Sequence, residues 1–288
     1  MNSAELKTFI TVAQASSISH AARQLHLTQP AVSKRIQGLE NNLGTPLFDR
    51  VGKRLHLTQA GKLLKPEAEL ILSHWTDTER RLRSLSEEVT GTLNIATSHH
   101  VGLHRLAPVL TDFRQAYPEV RLNITFEDSE IAHMLMRQGD IELAVATLDP
   151  DGSDDLKVEP IWDDPLVFVD DRPGTTSLDA LAQRPCVLPG TGTYTGRIVL
   201  HRFQQLGINL EPTMSTNYLE TLSMLVSVGL GWSVLPASMS AKVFQLDVQT
   251  QPMARTLGVI TNPQRAMTNG ARAFLEILKS YADVEPPT

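Results

Sequence analysis

One cysteine, Cys186, stands in a chain of 288 residues. That excludes an intramolecular disulfide and a cysteine metal cluster, and leaves oxidant sensing only through modification or intermolecular bonding. No apolar run approaches the roughly 18–20 residues that cross a bilayer as a helix. The opening MNSAELKTFITVAQ mixes acid and base and has no signal-peptide core, so a cytoplasmic protein is expected. Low-complexity tracts are absent. So are a nucleophile elbow, an HExxH pair and a phosphate loop; GTGTYTG lacks the Gly-Lys-Ser/Thr ending of the last.

Positive charge is scarce overall, with a net charge of −6, but not at the start. Residues 1–65 hold nine Lys/Arg against three acids and carry +6, leaving −12 on the remainder. A basic block on an acidic body suggests a small polyanion-binding module joined to something else. The length itself suggests about two domains.

Within the basic block, Leu6, Phe9, Ile10 and Ala13 predict a helix over 3–14. SSISHAARQLH predicts a second of about two turns, and HLT a turn whose Thr28 caps a third helix. Pro30 falls in that helix's first turn, where a missing N–H costs nothing. Val32, Ile36 and Leu39 share one face. Pro30, Lys34 and Gln37 point away from it, flanked by Ser33 and Arg35. Such a face is either solvated or presented to the DNA major groove, where Gln bonds adenine, Lys or Arg bonds guanine, and Ser serves an edge or a phosphate. A basic hairpin follows, with Gly52-Lys53-Arg54 at its tip; as a wing, it would place Arg50 and Arg54 on phosphates.

FITVAQASSISHAARQLHLTQPAVSKRIQGLENNLGTPLFDR followed by LTQAG resembles the N-terminal domain of LysR-type transcriptional regulators, nearly without gaps. The resemblance implies base contacts from Gln29, Pro30, Ser33 and Lys34, with Arg35 able to share the guanine task. It implies backbone contacts from Thr28, Arg50 and Arg54. Residues 59–89 are expected to form one long helix. Ala68, Trp75, Leu82 and Val89 recur every seven residues, with Ile71, Thr78 and Leu85 between them, a seam suited to pairing with a second copy or to packing on its own domain. Pairing would set two readers on double-stranded DNA with an interrupted inverted repeat. The family further implies a homodimer assembling to a tetramer, RNA polymerase as a partner, and no membrane association.

From Gly91, strand and helix patterns alternate, predicting an α/β region with a largely parallel sheet. GDIELAVA and VGLGWSVLP extend the resemblance. The expected fold is therefore a winged helix-turn-helix (1–58) and linker helix (59–90), joined to a two-lobed α/β region like periplasmic binding proteins (91–288). Lobe I would comprise 91–161 and 265–288, and lobe II 162–264. The cleft between lobes is the expected effector site, lined by Thr97, Ser98, His99, His100, Ser129, Thr147, Thr191, Thr193, Asn217 and Tyr218. These hydroxyls, amide and imidazoles suit a small organic acid. His100 and His104 have the i, i+4 spacing of a helical zinc pair. The carboxylate within ten residues is the distant Asp112, so hydrogen bonding rather than a metal or cofactor is expected. An enzyme with a DNA-binding appendage and an exported solute-binding protein are the alternatives; the first lacks catalytic motifs, the second an export signal.

Overall fold

The computed structural model describes residues 2–51, 54–83 and 88–282. The chain divides into two compact units, 1–83 and 84–288.

The first unit opens with α1 (Ser3–Ala15), held by a capping box in which Asn2 and Glu5 exchange bonds of 2.9 Å. Then come α2 (Ile18–Gln24), capped by Ser17, and α3 (Gln29–Leu43), capped by Thr28, whose hydroxyl accepts from Ala31 N at 3.4 Å. Gly44 ends α3 at φ 67°, which only glycine adopts without strain. Val32, Ile36 and Leu39 are buried against Leu6, Phe9, Val12 and the alanine pair Ala21/Ala22. Each such aliphatic side chain contributes roughly 1.5–3 kcal/mol on burial. The small alanines let α2 approach its neighbours.

The hairpin β1 (Phe48–Val51) and β2 (Arg54–Leu57) pairs antiparallel from Phe48↔Leu57 to Val51↔Arg54, turning Leu55 and Leu57 to the core. Glu40 anchors its entry by accepting from Leu47 N at 2.7 Å. Thr58 then caps α4 (Gln59–Arg83), accepting from Gly61 N at 3.0 Å. A Cβ on Gly61 would stand 2.2 Å from Leu47 O, which is why the helix must enter on Ala-Gly.

α4 continues through Pro66. The seven-residue seam does not behave as one surface. Ala68 is fully buried in the first unit's own core, beside Leu64 and Leu72, whereas Ile71, Trp75 and Leu82 are exposed. The linker helix is thus a structural part of the N-terminal unit, and Leu63, Leu70, Ile71, Trp75 and Leu82 leave apolar surface uncovered along it. Val89 lies beyond the helix and packs on the second unit's core, so its place in the heptad is coincidental. Leu85 lies outside the described residues.

The second unit begins β3 (Gly91–Thr97), α5 (His99–His104), α6 (Leu106–Ala116), β4 (Val120–Phe126), α7 (Ser129–Gln138), β5 (Leu143–Thr147) and the long β6 (Lys157–Asp170). It continues β7 (Thr175–Thr176), α8 (Leu178–Ala182), β8 (Val187–Leu188), α9 (Tyr194–Gln204), β9 (Met214–Ser215), α10 (Leu219–Ser227) and β10 (Ser233–Pro236). After short β11 (Phe244–Gln245) and β12 (Asp247–Val248), it ends with β13 (Met253–Thr261) and α11 (Asn269–Lys279).

The main sheet runs β10-β6-β13-β5-β3-β4, with β11 also on β6. It is mixed rather than largely parallel: β3 pairs parallel with β4 and β5, while β13 runs antiparallel to both β5 and β6. In β3 and β5 the large residues Leu93, Ile95, Leu143 and Val145 face Phe113 and Phe274 of α6 and α11. The intervening Ala96, Ala144 and Ala146 make room for α7. Lobe II has a separate core around Trp232, Phe203 and Phe168.

β6 and β13 join the lobes. Ile161 and Trp162 belong to lobe I's core and Leu166 to lobe II's; Met253 belongs to lobe II and Leu257 to lobe I. The crossings therefore fall at Asp164 and Arg255, which are directly opposite in the register. The return lies about ten residues before the expected 264/265, because "TLGVIT" buries its apolar residues in lobe I instead of closing lobe II.

Candidate functional site

Thr28, Gln29, Pro30, Ser33 and Lys34 are all exposed on the N-terminal half of α3, opposite its buried stripe. That is the placement a major-groove reader needs. Arg35 departs from it: its Nη1 donates to Thr8 Oγ1 of α1 at 3.4 Å, so the guanidinium is directed at a neighbouring helix. The backbones of Arg50 and Arg54 lie in the hairpin, paired with Leu55 and Val51. Their side chains, with Gly52 and Lys53, lie outside the described residues.

In the second unit a cavity of about 50 Å³ lies between the lobes. This is far below the roughly 300–1,000 Å³ of an ordinary small-molecule site. The walls are drawn together. Asn217 Nδ2 donates to Asp128 Oδ2 at 2.6 Å, the Tyr194 N–H donates to Glu130, and Arg197 reaches Asp149 at 2.8 Å as well as Asp151.

Ser98, His99, His100, Ser129, Thr147, Thr193 and Asn217 line this cavity as expected. Their capacity differs. Ser98 precedes α5 without spending its hydroxyl on a cap. The Ser129 hydroxyl accepts from Thr147 N at 3.2 Å, and that of Thr193 is taken up by Gly190 O and Gly196 N. Three expected liners are elsewhere. Thr97 is buried in the sheet, donating to Val145 O at 2.8 Å. Thr191 lies on a surface depression beside Arg197 and His201. Tyr218 stands outside, its ring edge-on to His99 with centroids 5.1 Å apart.

The chemistry that sequence reasoning missed is ionic. Asp128, Glu130, Glu220 and Arg255 line the cavity, and Asp164 lies beneath it. Asp164, 1% exposed, accepts from Arg255 Nε at 2.7 Å and stands 3.8 Å from Arg105 Nη2 and 3.7 Å from His100 Nε2. Arg255 Nη1 donates to Thr195 Oγ1 at 3.1 Å, and Nη2 has no partner among the described residues. An arginine amid an otherwise apolar strand, "MARTLGVIT", was the available signal.

Burial lowers the His100 pKa to about 2, reinforced by Arg255, His104 and Arg105, so the ring is neutral. Burial raises the Glu130 carboxyl, opposed by the Tyr194 N–H. The Tyr194 phenol is pushed up to about 12, first by burial and then by Asp149 and Glu130.

Residues 3–62 match the family described as bacterial regulatory helix-turn-helix protein, lysR family, and residues 86–283 match the LysR substrate binding domain. The chain is similar to a "Probable RuBisCO transcriptional regulator" of Nostoc sp. (strain PCC 7120 / SAG 25.82 / UTEX 2576), 31% identical across 96% of this chain and 88% of that protein. It is also similar to "HTH-type transcriptional regulator BsdA" of Bacillus subtilis (strain 168), 30% identical across 96% and 100%. Its fold is that of full-length CbnR, crystallised with its target DNA: TM-score 0.66, 21% identity, covering 97% of this chain and 99% of that one. No helix among the described residues is long and apolar enough to cross a membrane. With an exposed polar reader on a winged helix-turn-helix, a two-lobed effector region and both family matches, this chain belongs to the LysR family of DNA-binding transcriptional regulators and is not an enzyme.

Proposed function

We propose that this regulator answers to a small organic acid taken up between its lobes. The observation carrying this is Arg255, buried at the strand crossing with Nη2 unpartnered among the described residues. A carboxylate there would complete the guanidinium's bonding, and charge-assisted bonds of this kind are worth about 1.5–3 kcal/mol. Ser98 offers an unspent hydroxyl on the same cavity. Glu130 already holds the Tyr194 N–H as a resident carboxylate, and an incoming acid would take its place. Admission requires the lobes to part, because the present cavity is too small.

The exposed stripe of Ile71, Trp75 and Leu82 supports a homodimer, which would place two readers on an interrupted inverted repeat. CbnR, crystallised on its target DNA, supports the double-stranded partner. From the family come assembly to a tetramer, action through RNA polymerase and a cytoplasmic location. Calorimetry of the full chain against a panel of small carboxylates tests the effector. Affinity should fall in Ser98→Ala and by tenfold or more in Arg255→Lys, with effector-free DNA binding unchanged. A preferred ligand that is cationic or wholly apolar would overturn the reading.

A further inference from the structure

The two-histidine spacing in α5 lacks a third ligand along the chain, but the fold supplies one. His104 Nε2 lies 3.2 Å from Glu220 Oε1, a contact between residues 116 apart. The His100 and His104 rings are 4.9 Å between centroids. Ligand atoms of His100, His104 and Glu220 all lie within 4.8 Å of one another. Zinc bonds of about 2.0–2.2 Å set tetrahedral ligands about 3.3–3.5 Å apart, so the His104–Glu220 separation needs almost no adjustment and His100 a shift near 1 Å.

A second observation concerns His100. It is 5% exposed, and neither ring nitrogen has a hydrogen-bond partner among the described residues. Leaving such groups unmet in a buried site carries their full desolvation penalty. Asp164 Oδ2 stands 3.7 Å from Nε2, too far for a hydrogen bond as placed but near enough to accept one from the ring N–H after a small shift, the carboxylate–histidine arrangement that orients metal-binding imidazoles. Arg105 and Arg255 oppose a dication here, and Asp164, lying against both, offsets that opposition.

We infer that His100, His104 and Glu220 form a divalent-metal site of the zinc class that clamps lobe I to lobe II at the cleft. Two histidines and one carboxylate leave a fourth position for water, as in open zinc sites. His100 and His104 come from lobe I and Glu220 from the start of α10 in lobe II, so the ion would bind only when the lobes are together. This goes beyond the organic-acid reading, and both draw on the one cavity that His100, Glu220, Ser98 and Arg255 line, the ion holding closed the lobes that the acid must part.

The test is calorimetric titration of Zn2+ into chelator-treated full-length protein without any organic acid, repeated with Co2+ while following visible absorption. We expect one site per chain and a tetrahedral Co2+ spectrum. His104→Gln and Glu220→Gln, both at partly exposed positions that leave the cores intact, should each weaken binding at least tenfold and abolish the spectrum. His201→Gln, on the surface of α9, should change neither. Absence of stoichiometric binding, or binding unaffected by either ligand variant, would overturn the site. Dependence on His104 but not on Glu220 would overturn the clamp.

Discussion

Replacing Asp164 by asparagine removes one charge while keeping the side chain's shape, at the point where both connecting strands pass between lobes. Arg255 then loses its 2.7 Å partner inside a site where Asp164 is 1% and Arg255 6% exposed. Removing one member of a buried ion pair costs about 3–5 kcal/mol, chiefly because the other charge stays buried without compensation. For a region of about 200 residues, each kcal/mol shifts Tm by roughly 2–4 °C, giving a fall of about 6–20 °C. Calorimetric melting of the full chain, following the C-terminal unit's transition, measures it. Asp164→Asn/Arg255→Met, which removes the stranded charge, should recover at least half of the loss. A single-variant shift under 2 °C, or a double variant whose loss equals the sum of the two singles, would refute the argument that this pair is mutually dependent.

Other outcomes follow from the same geometry. Trp75→Glu and Leu82→Glu should weaken self-association in sedimentation of the full chain, because the exposed stripe of α4 would carry a charge into the pairing surface. Ala68→Glu should instead unfold the first unit, whose core that residue occupies. His133 is fully buried, and burial lowers its pKa below the ordinary 6.5. The unfolded chain therefore binds the proton first, and stability should fall as pH drops below about 6.5. His133→Gln should make that acid limb shallower in melts taken from pH 7.5 to 5, the remainder coming from His100, whose pKa burial also lowers. Glu130→Gln keeps an acceptor for the Tyr194 N–H without the buried charge. Burial raises the native carboxyl, so the variant should gain stability at neutral pH and lose the advantage near pH 4.5.

The DNA-reading unit was legible because its determinants are local. Thr28, Pro30, the Val32/Ile36/Leu39 stripe and Thr58 all act within a few residues of themselves, and the structure uses each where spacing placed it. Arg35 escaped because Thr8, its partner, is 27 residues away. The heptad misled because Ala68 and Val89 are apolar for two different cores. The cleft was half legible. Strand ends located Ser98, Ser129 and Thr147, but periodicity carries no record of which acids converge from distant turns. Asp164–Arg255, separated by 91 positions, and His104–Glu220 exist only once the lobes are folded together. Thr97 looked available because a strand-end hydroxyl shows nothing of the carbonyl waiting on the neighbouring strand.

The central claim is that the exposed face of α3 reads DNA. Fluorescence anisotropy with the regulator's own upstream DNA, at fixed salt and with excess non-specific competitor, tests it most directly. The native chain should bind specifically. Ser33→Ala and Lys34→Ala should each lose about 1–3 kcal/mol of specific binding, roughly five- to 150-fold, while melting normally. Folded variants that bind the site as tightly as the native chain would contradict the assignment of this helix.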